Sequence, residues 1–149
     1  MTALAADTPL PHRGDPKIRE YPVTGADTFY VGAIVVFDLT GGLVQVQQGA
    51  ADIPCGIVVE QLVATAASQL VKVATGGEWL LPFTGAVVGD TGSLIHVDAS
   101  ASDDNPTALL AAGDGATGDL AFGTCVEFVS ATLGGWVDIE KRGAIAAHA

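Results

Sequence analysis

The sequence predicts an all-β protein, an antiparallel sandwich or barrel preceded by an extended N-terminal arm. Three observations lead there. Short runs of Val, Ile, Leu and aromatic residues recur every ~8 to 12 residues with turn residues between them, the rhythm of sandwiches and barrels. Nineteen Gly and seven Pro stand among 149 residues, while Lys and Arg together number six, too few of the long side chains that cover helix surfaces. A chain 49% hydrophobic and 15% charged, with a mean hydropathy of +0.43, also buries too much to be disordered throughout. Its length fits one domain.

The expected elements run in chain order. Residues 1–24 contain Pro9, Pro11, Pro16 and Pro22 and show no helical or alternating period, so they are expected to run extended as an arm. Such an arm is able to stay disordered in isolation and to order on a partner, the alternative being a mobile tail with no task. Residues 25–142 form the β-rich body and 143–149 a C-terminal tail. AIVVFDL (33–39) and LVQVQQ (43–48) flank Gly41-Gly42 and read as a hairpin. CGIVVEQLV (55–63) and SQLVKVAT (68–75) come next, then a turn at Gly76-Gly77 and EWLLPFTG (78–85). Pro82 pushes that last run toward an edge or a bulge, because proline gives no ladder donor. SLIHV (93–97), TALLAA (107–112), LAFGTCVEFV (120–129) and GWVDIEK (135–141) bring the strands to about nine. GAADIPCGIVVE (49–60) and GDLAFGTCVEF (118–128) echo each other. Aligned on their cysteines at a separation of 70 residues, they fit a repeated β-unit, with chance similarity between two apolar strands as the alternative.

Charge bounds the partners. Arg13, Lys17 and Arg19 balance Asp7, Asp15 and Glu20 in residues 1–24, so the whole net charge of −11 falls on the remainder. A body that acidic repels phosphate backbones and anionic membranes, which argues against nucleic-acid or membrane partners. The N-terminus lacks the basic and apolar blocks of a signal peptide, so a soluble protein without signal-directed export is expected.

Chemistry is sparse. His12 lies in the arm, His148 one residue from the end, and His96 alternates with Ile95 and Val97 in a strand. None has the spacing of a metal site or a catalytic base beside a nucleophile. Cys55 and Cys125 sit in apolar strand-like runs and read as small buried hydrophobes, with a disulfide as the alternative. Gly113-Asp114-Gly115-Ala116-Thr117-Gly118 matches GxGxxG, but a strand comes after it where a dinucleotide site needs a helix, so a tight acidic turn is expected. The loop 98–106 offers Asp98, Asp103, Asp104 and Asn105 to a cation, yet Asp103 and Leu109 stand where an EF-hand needs Gly and Glu. A solvated loop is expected there. Arg13-Gly14-Asp15 is an integrin-type tripeptide, read here as a turn between Pro11 and Pro16. Trp79 and Trp136 lie in strand-like text, pointing to core or an oligomer interface. No enzyme, cofactor or metal is expected.

The runs GAIVVFDLTGGLVQVQQGAADIPCGIVVEQ, SQLVKVATGGEW, VGDTGSLIHVDAS and FGTCVEFVSATLGGWVDIE have an order of strands and glycines that resembles the phage head decoration, or capsid cement, proteins. The resemblance covers residues 32 to 140, about three quarters of the chain. The long segment before Val23 and the acidic insertion around Asp103 depart from it. It implies a compact antiparallel β-barrel or β-tulip-like sandwich, and a structural protein made in the host bacterial cytoplasm that binds the outer face of a virion. There a homotrimer would lock neighbouring major capsid protein subunits. Under that reading the arm is the docking element, with Ile18 and Tyr21 as apolar anchors and Arg13, Lys17 and Arg19 pairing with capsid carboxylates. A carbohydrate-binding or adhesion β-sandwich module is the rival reading and calls for an exposed Trp or an ordered calcium.

Overall fold

A computed structural model describes residues 4–38, 44–46, 53–97, 104–111 and 120–140. The fold is all-β and its sheets are antiparallel, short of a closed barrel. Thirteen strands are present among the described residues: β1 (His12–Arg13), β2 (Ile18–Pro22), β3 (Asp27–Phe29), β4 (Ile34–Phe37), β5 (Val44–Val46), β6 (Ile53–Val58), β7 (Leu62–Ala64), β8 (Leu70–Ala74), β9 (Glu78–Leu81), β10 (Leu94–Val97), β11 (Leu110–Ala111), β12 (Leu120–Ser130) and β13 (Gly134–Asp138). One sheet has the order β2-β8-β6-β4-β5, and a second has β1-β9-β13-β12-β10-β11. A two-stranded ribbon, β3 with β7, completes the set.

Without β1 the two sheets have the same plan. Reading β9, β13, β12, β10 and β11 against β2, β8, β6, β4 and β5 matches every neighbour. The details match as well. Val35 faces Gly56 and Val36 faces Pro54, leaving Cys55 as the extra residue of a bulge, while Ile95 faces Gly123 and His96 faces Ala121, leaving Phe122. Gly32 N–H donates to Val58 O (2.9 Å) as Gly92 N–H donates to Cys125 O (2.6 Å). Both of those glycines have positive φ, +92° and +89°, a conformation that side chains disfavour. A parallel bridge ties the start and end of each curled sheet, Val23 to Val44 in the first lobe and Thr84 to Leu110 in the second. The repeated β-unit is therefore present, but its alignment differs from the expected one. Gly56 corresponds to Gly123 at 67 residues, and Cys55 corresponds to Phe122 rather than to Cys125. The two cysteines fall in separate core clusters.

Burial explains why the two halves read differently. Inside the first lobe Val23, Val35, Val44, Val58, Val71 and Val73 form one core, capped by Phe29 and Ala64 of the ribbon. From its other face Ile34, Ile57 and Ala74 pack into the core of the second lobe, with Leu81, Phe83, Ile95, Phe122 and Val137. A sheet buried on both faces needs apolar residues in succession, hence Ala33-Ile34-Val35-Val36. The equivalent strand of the second lobe buries Ile95 and Val97 but leaves His96 half-buried, and it alternates as a one-sided strand should.

Each of the nine expected runs contains a strand, and β4 pairs with β5 as the hairpin reading requires. Residues 55–63 break into β6 and β7, because Leu62–Ala64 leave the sheet to pair with β3. The run at 107–112 holds a 3-10 turn, Pro106–Ala108, before β11. The Gly41-Gly42 turn, the GxGxxG run at 113–118 and the tail at 143–149 lie outside the described residues.

The expected free arm is corrected. β1 pairs with β9, and β2 pairs along its whole length with β8. Thr8 N–H donates to Val31 O (2.8 Å), and Leu4 N–H donates to the Asp104 carboxylate (2.9 Å). Residues 18–22 are a strand of the body, and residues 4–17 form a strap laid across both lobes. The prolines that suggested a separate arm fall where they cost no ladder bond, at loops and a sheet edge.

Gly56 and Gly123 allow the close strand crossing at each bulge. A Cβ on Gly56 would overlap the Ala74 carbonyl oxygen, and one on Gly123 would lie 2.7 Å from the Asp138 carbonyl oxygen. Gly56→Ala and Gly123→Ala should each lower stability by about 2–3 kcal/mol, the cost of overpacking a closed site, with Gly56→Ala the worse. Urea denaturation followed by Trp fluorescence measures both.

Candidate functional site

The chemistry-bearing residues of the N-terminal segment divide between two sheet edges. On the second lobe, β1 lies against β9 with His12 opposite Trp79 and Arg13 opposite Glu78. Leu80 N–H, which faces away from β13, donates to Pro11 O at 3.0 Å. His12 stacks on Trp79 with ring centroids 4.8 Å apart and planes 28° from parallel. Arg13 points to the other face, where its guanidinium carbon sits 4.4 Å from the Trp136 ring centroid. Its Nε donates to Glu78 Oε1 (2.8 Å), and Nη1 lies 3.6 Å from Glu127 Oε1. The strap then turns through Gly14 and Asp15, and Lys17 Nζ pairs with Glu140.

These contacts bear on the reading of both tryptophans. Trp79 is 4% exposed, and its indole N–H donates to Gly76 O at 2.9 Å. It belongs to the core of its own chain, the first of the two places expected for it. Trp136 is half-buried, with the Arg13 guanidinium over its ring. Neither ring offers the open face on which a sugar stacks. Arg13 of the Arg-Gly-Asp tripeptide is likewise engaged within the chain, and the Asp15 carboxylate accepts from Lys17 N–H at 3.1 Å.

On the first lobe the corresponding edge is β2. Thr75 N–H donates to Lys17 O, and Val23 N–H donates to Gln69 O, which fixes the alternation along the strand. Ile18 and Glu20 therefore turn their backbone N–H and C=O groups away from β8, and no described strand pairs with them. Ile18 is 54% exposed and Arg19 is exposed. Tyr21 points inward and meets Phe37 edge-on, with centroids 5.2 Å apart. Of the five residues expected to dock, Ile18 and Arg19 lie at this outer edge. Arg13 and Lys17 are engaged in the strap, and Tyr21 packs against the first lobe's core. The lobe equivalence sets Arg19 where the second lobe has Trp79, and Lys72 where it has Trp136. Lys72 Nζ pairs with Glu60 (3.0 Å), while the corresponding Glu127 meets Arg13 of the strap.

Elsewhere, Cys55 and Cys125 are buried thiols that are not joined in a disulfide. Burial pushes the Cys125 thiol up, against a smaller opposing backbone hydrogen bond at Glu127, with the Asp90 charge adding to the rise. In the acidic loop Asp104 is buried and serves the strap through Leu4. Asn105 Oδ1 accepts from Thr107 N–H (3.1 Å) and caps the 3-10 turn. Asp98 and Asp103 lie outside the described residues. Among the described residues no group of three or more His, Cys, Asp or Glu side chains is placed to hold a metal. No helix of the described chain is long and apolar enough to cross a membrane.

No protein family, curated protein or solved structure matches the chain. Sequence reasoning passes over the edge pair because a two-residue strand of His and Arg has no period to detect. One signal was available: Pro22-Val23-Thr24-Gly25-Ala26 and Pro82-Phe83-Thr84-Gly85-Ala86 repeat nearly verbatim and align β2 with β9.

Both thiols should resist an aromatic disulfide reagent in the native protein and react together on unfolding. Labelling against urea concentration, followed by mass spectrometry, measures this. Lys17 is raised above its ordinary 10.5, first by its hydrogen bond to Glu140 and then by that carboxylate's charge. Its contribution is therefore present below pH 10.5 and is lost as pH climbs through the raised value. Melting scans between about pH 9 and 12 should show a smaller alkaline decline for Lys17→Met than for the wild type, by a modest margin because the pair is solvent-exposed.

Proposed function

We propose that this protein is a structural virion component that binds the outer surface of a phage capsid and stabilises the lattice of the major capsid protein. The observation that carries the reading is the outer edge of β2, which no described strand covers. An unpaired strand edge accepts an extended segment through main-chain hydrogen bonds, with side chains setting the choice. This fold already contains one such pairing, β1 on the equivalent edge of β9. An extended segment of the capsid protein would add beside β2, burying Ile18 and placing a carboxylate near Arg19.

Other features support the same reading. The net charge of −11 favours solubility at high copy number. The order of strands and glycines resembles that of the cement proteins. The edge is short, and Pro22 ends its supply of donors, so each contact is modest. Repetition over many lattice sites makes modest contacts collectively strong. In this reading the working unit on the shell is a homotrimer, and the rival carbohydrate module loses its platform with Trp79 buried and Trp136 covered.

The test mixes purified protein with expanded shells that lack decoration and images them. Wild-type protein should occupy regular lattice positions. Glu20→Pro removes an outward N–H without breaking a bond to β8, and Arg19→Glu reverses the charge at the edge. Each should remain folded by circular dichroism and lose about tenfold in affinity, the equivalent of about 1.4 kcal/mol. Wild-type protein that ignores the shells overturns the function, and full binding by both variants overturns the assignment to β2.

A further inference from the structure

We propose that the leading part of the strap, residues 4–13, exchanges between copies of this chain, so that this part of one molecule fills the β9 edge of another. The inference does not rest on the capsid reading.

Three observations carry it. The first is how the strap is held. Its strand is two residues long, His12 and Arg13 are both exposed, and residues 5–9 are exposed as well. Beside it lies a half-open depression of about 180 Å³, lined by Pro9, Leu10 and His12 of the strap and by Ile57, Val59 and Trp79 of the body. Leu10 packs against one core and Leu4 against the other, each only partly buried, so burial supplies a small share of what holds the strap. Its specificity comes from contacts that a second molecule's strap reproduces unchanged: the Pro11 carbonyl on Leu80 N–H, the His12 stack, and Arg13 between Trp136 and Glu78.

The second observation is the hinge. Folding back requires Gly14 at φ +77° and Lys17 at φ +45°, and Lys17 is a side-chain-bearing residue in the left-handed region. That conformation is strained for such a residue, and the strain is released when the hinge straightens. Gly14 to Lys17, once extended, reach roughly 13 Å, enough to carry the strap off its own β9. Short, strained hinges favour exchange of this type.

The third is selectivity. The other candidate acceptor, β2, has Arg19 and Lys72 where β9 has Trp79 and Trp136 beside it. A strap placed there would set His12 against Arg19 and leave Arg13 with neither an indole ring nor an opposing carboxylate, since Lys72 and Ile18 stand where the second lobe has Trp136 and Glu78. Exchange is thereby directed to β9. A transfer passed from each copy to the next is heterologous, and it closes into a ring where the rotation permits.

Arg13 and Glu78 lie directly opposite in an antiparallel pair, so their Cα atoms stand about 5.5 Å apart, within disulfide reach. The experiment mixes two single variants at high concentration, Arg13→Cys and Glu78→Cys, and oxidises them. Cys55 and Cys125 are buried and remain silent. Exchange yields a covalent species joining one of each variant, at twice the 15.0 kDa chain mass. The double variant should close both within and between chains. A double variant that closes only within its own chain, with no mixed species from the singles, overturns the proposal.

A second arm leaves the contacts intact. Deleting Gly14 and Asp15 makes the hinge too short to fold back, and the protein should then run as an oligomer by light scattering. Lys17→Gly removes the strain and should reduce the exchanged fraction at equal concentration. A folded deletion variant that stays monomeric, or a Lys17→Gly protein that exchanges as readily as wild type, overturns it equally.

Discussion

Each lobe depends on one steric constraint, a glycine placed where a neighbouring strand's carbonyl passes too close for any Cβ. At Gly56 the obstruction is the Ala74 carbonyl, and at Gly123 it is the Asp138 carbonyl. Beside each glycine the strand takes one extra residue, and this reverses the facing of the residues beyond it. Cys55 and Ile57, which an unbroken strand would set on the same side, serve different cores. The bulge also sharpens the local twist, so five short strands curl far enough for Val23 to meet Val44 and for Thr84 to meet Leu110. Without that curl the first sheet could not hold a valine-lined interior while offering Ile34, Ile57 and Ala74 to its neighbour.

Much of this was legible in the sequence, and the features that escaped notice did so for physical reasons. Runs such as Ile34–Phe37 and Leu120–Ser130 declare themselves, because burial and β-propensity act on neighbouring residues. The hairpin joining β4 and β5 is local and was readable. β1 and β2 were not, because their pairing partners lie about fifty residues or more away and their polar, proline-rich text records only that they run extended. Cysteines are a poor guide to the register of the repeat, since a free buried thiol substitutes easily for another small hydrophobe. Glycines forced by a backbone contact, and the Pro-x-Thr-Gly-Ala turns, are the stricter markers.

The candidate edges illustrate a related limit. Arg13, Lys17 and Arg19 are three cations within seven residues, and composition treats them alike. Position in the ladder separates them: one covers an indole, one meets Glu140, and one stands at an outer edge. Likewise Trp79 and Trp136 are equally aromatic, but alternation along β9 and β13 sends one ring inward and leaves the other on the surface beneath a guanidinium. The rotation of a side chain about a strand depends on register, and register here is set by bulges that no window of sequence reveals.

Pro22 and Pro82 stand at matching points of the two lobes, each just where its edge strand gives out. A proline there limits how far any neighbouring strand can zip along the edge, leaving only a few main-chain bonds to be made. A junction that shallow comes apart as readily as it forms. An extended segment held through so shallow a junction leaves again soon after it lands, so a wrong placement at such an edge is undone rather than locked in.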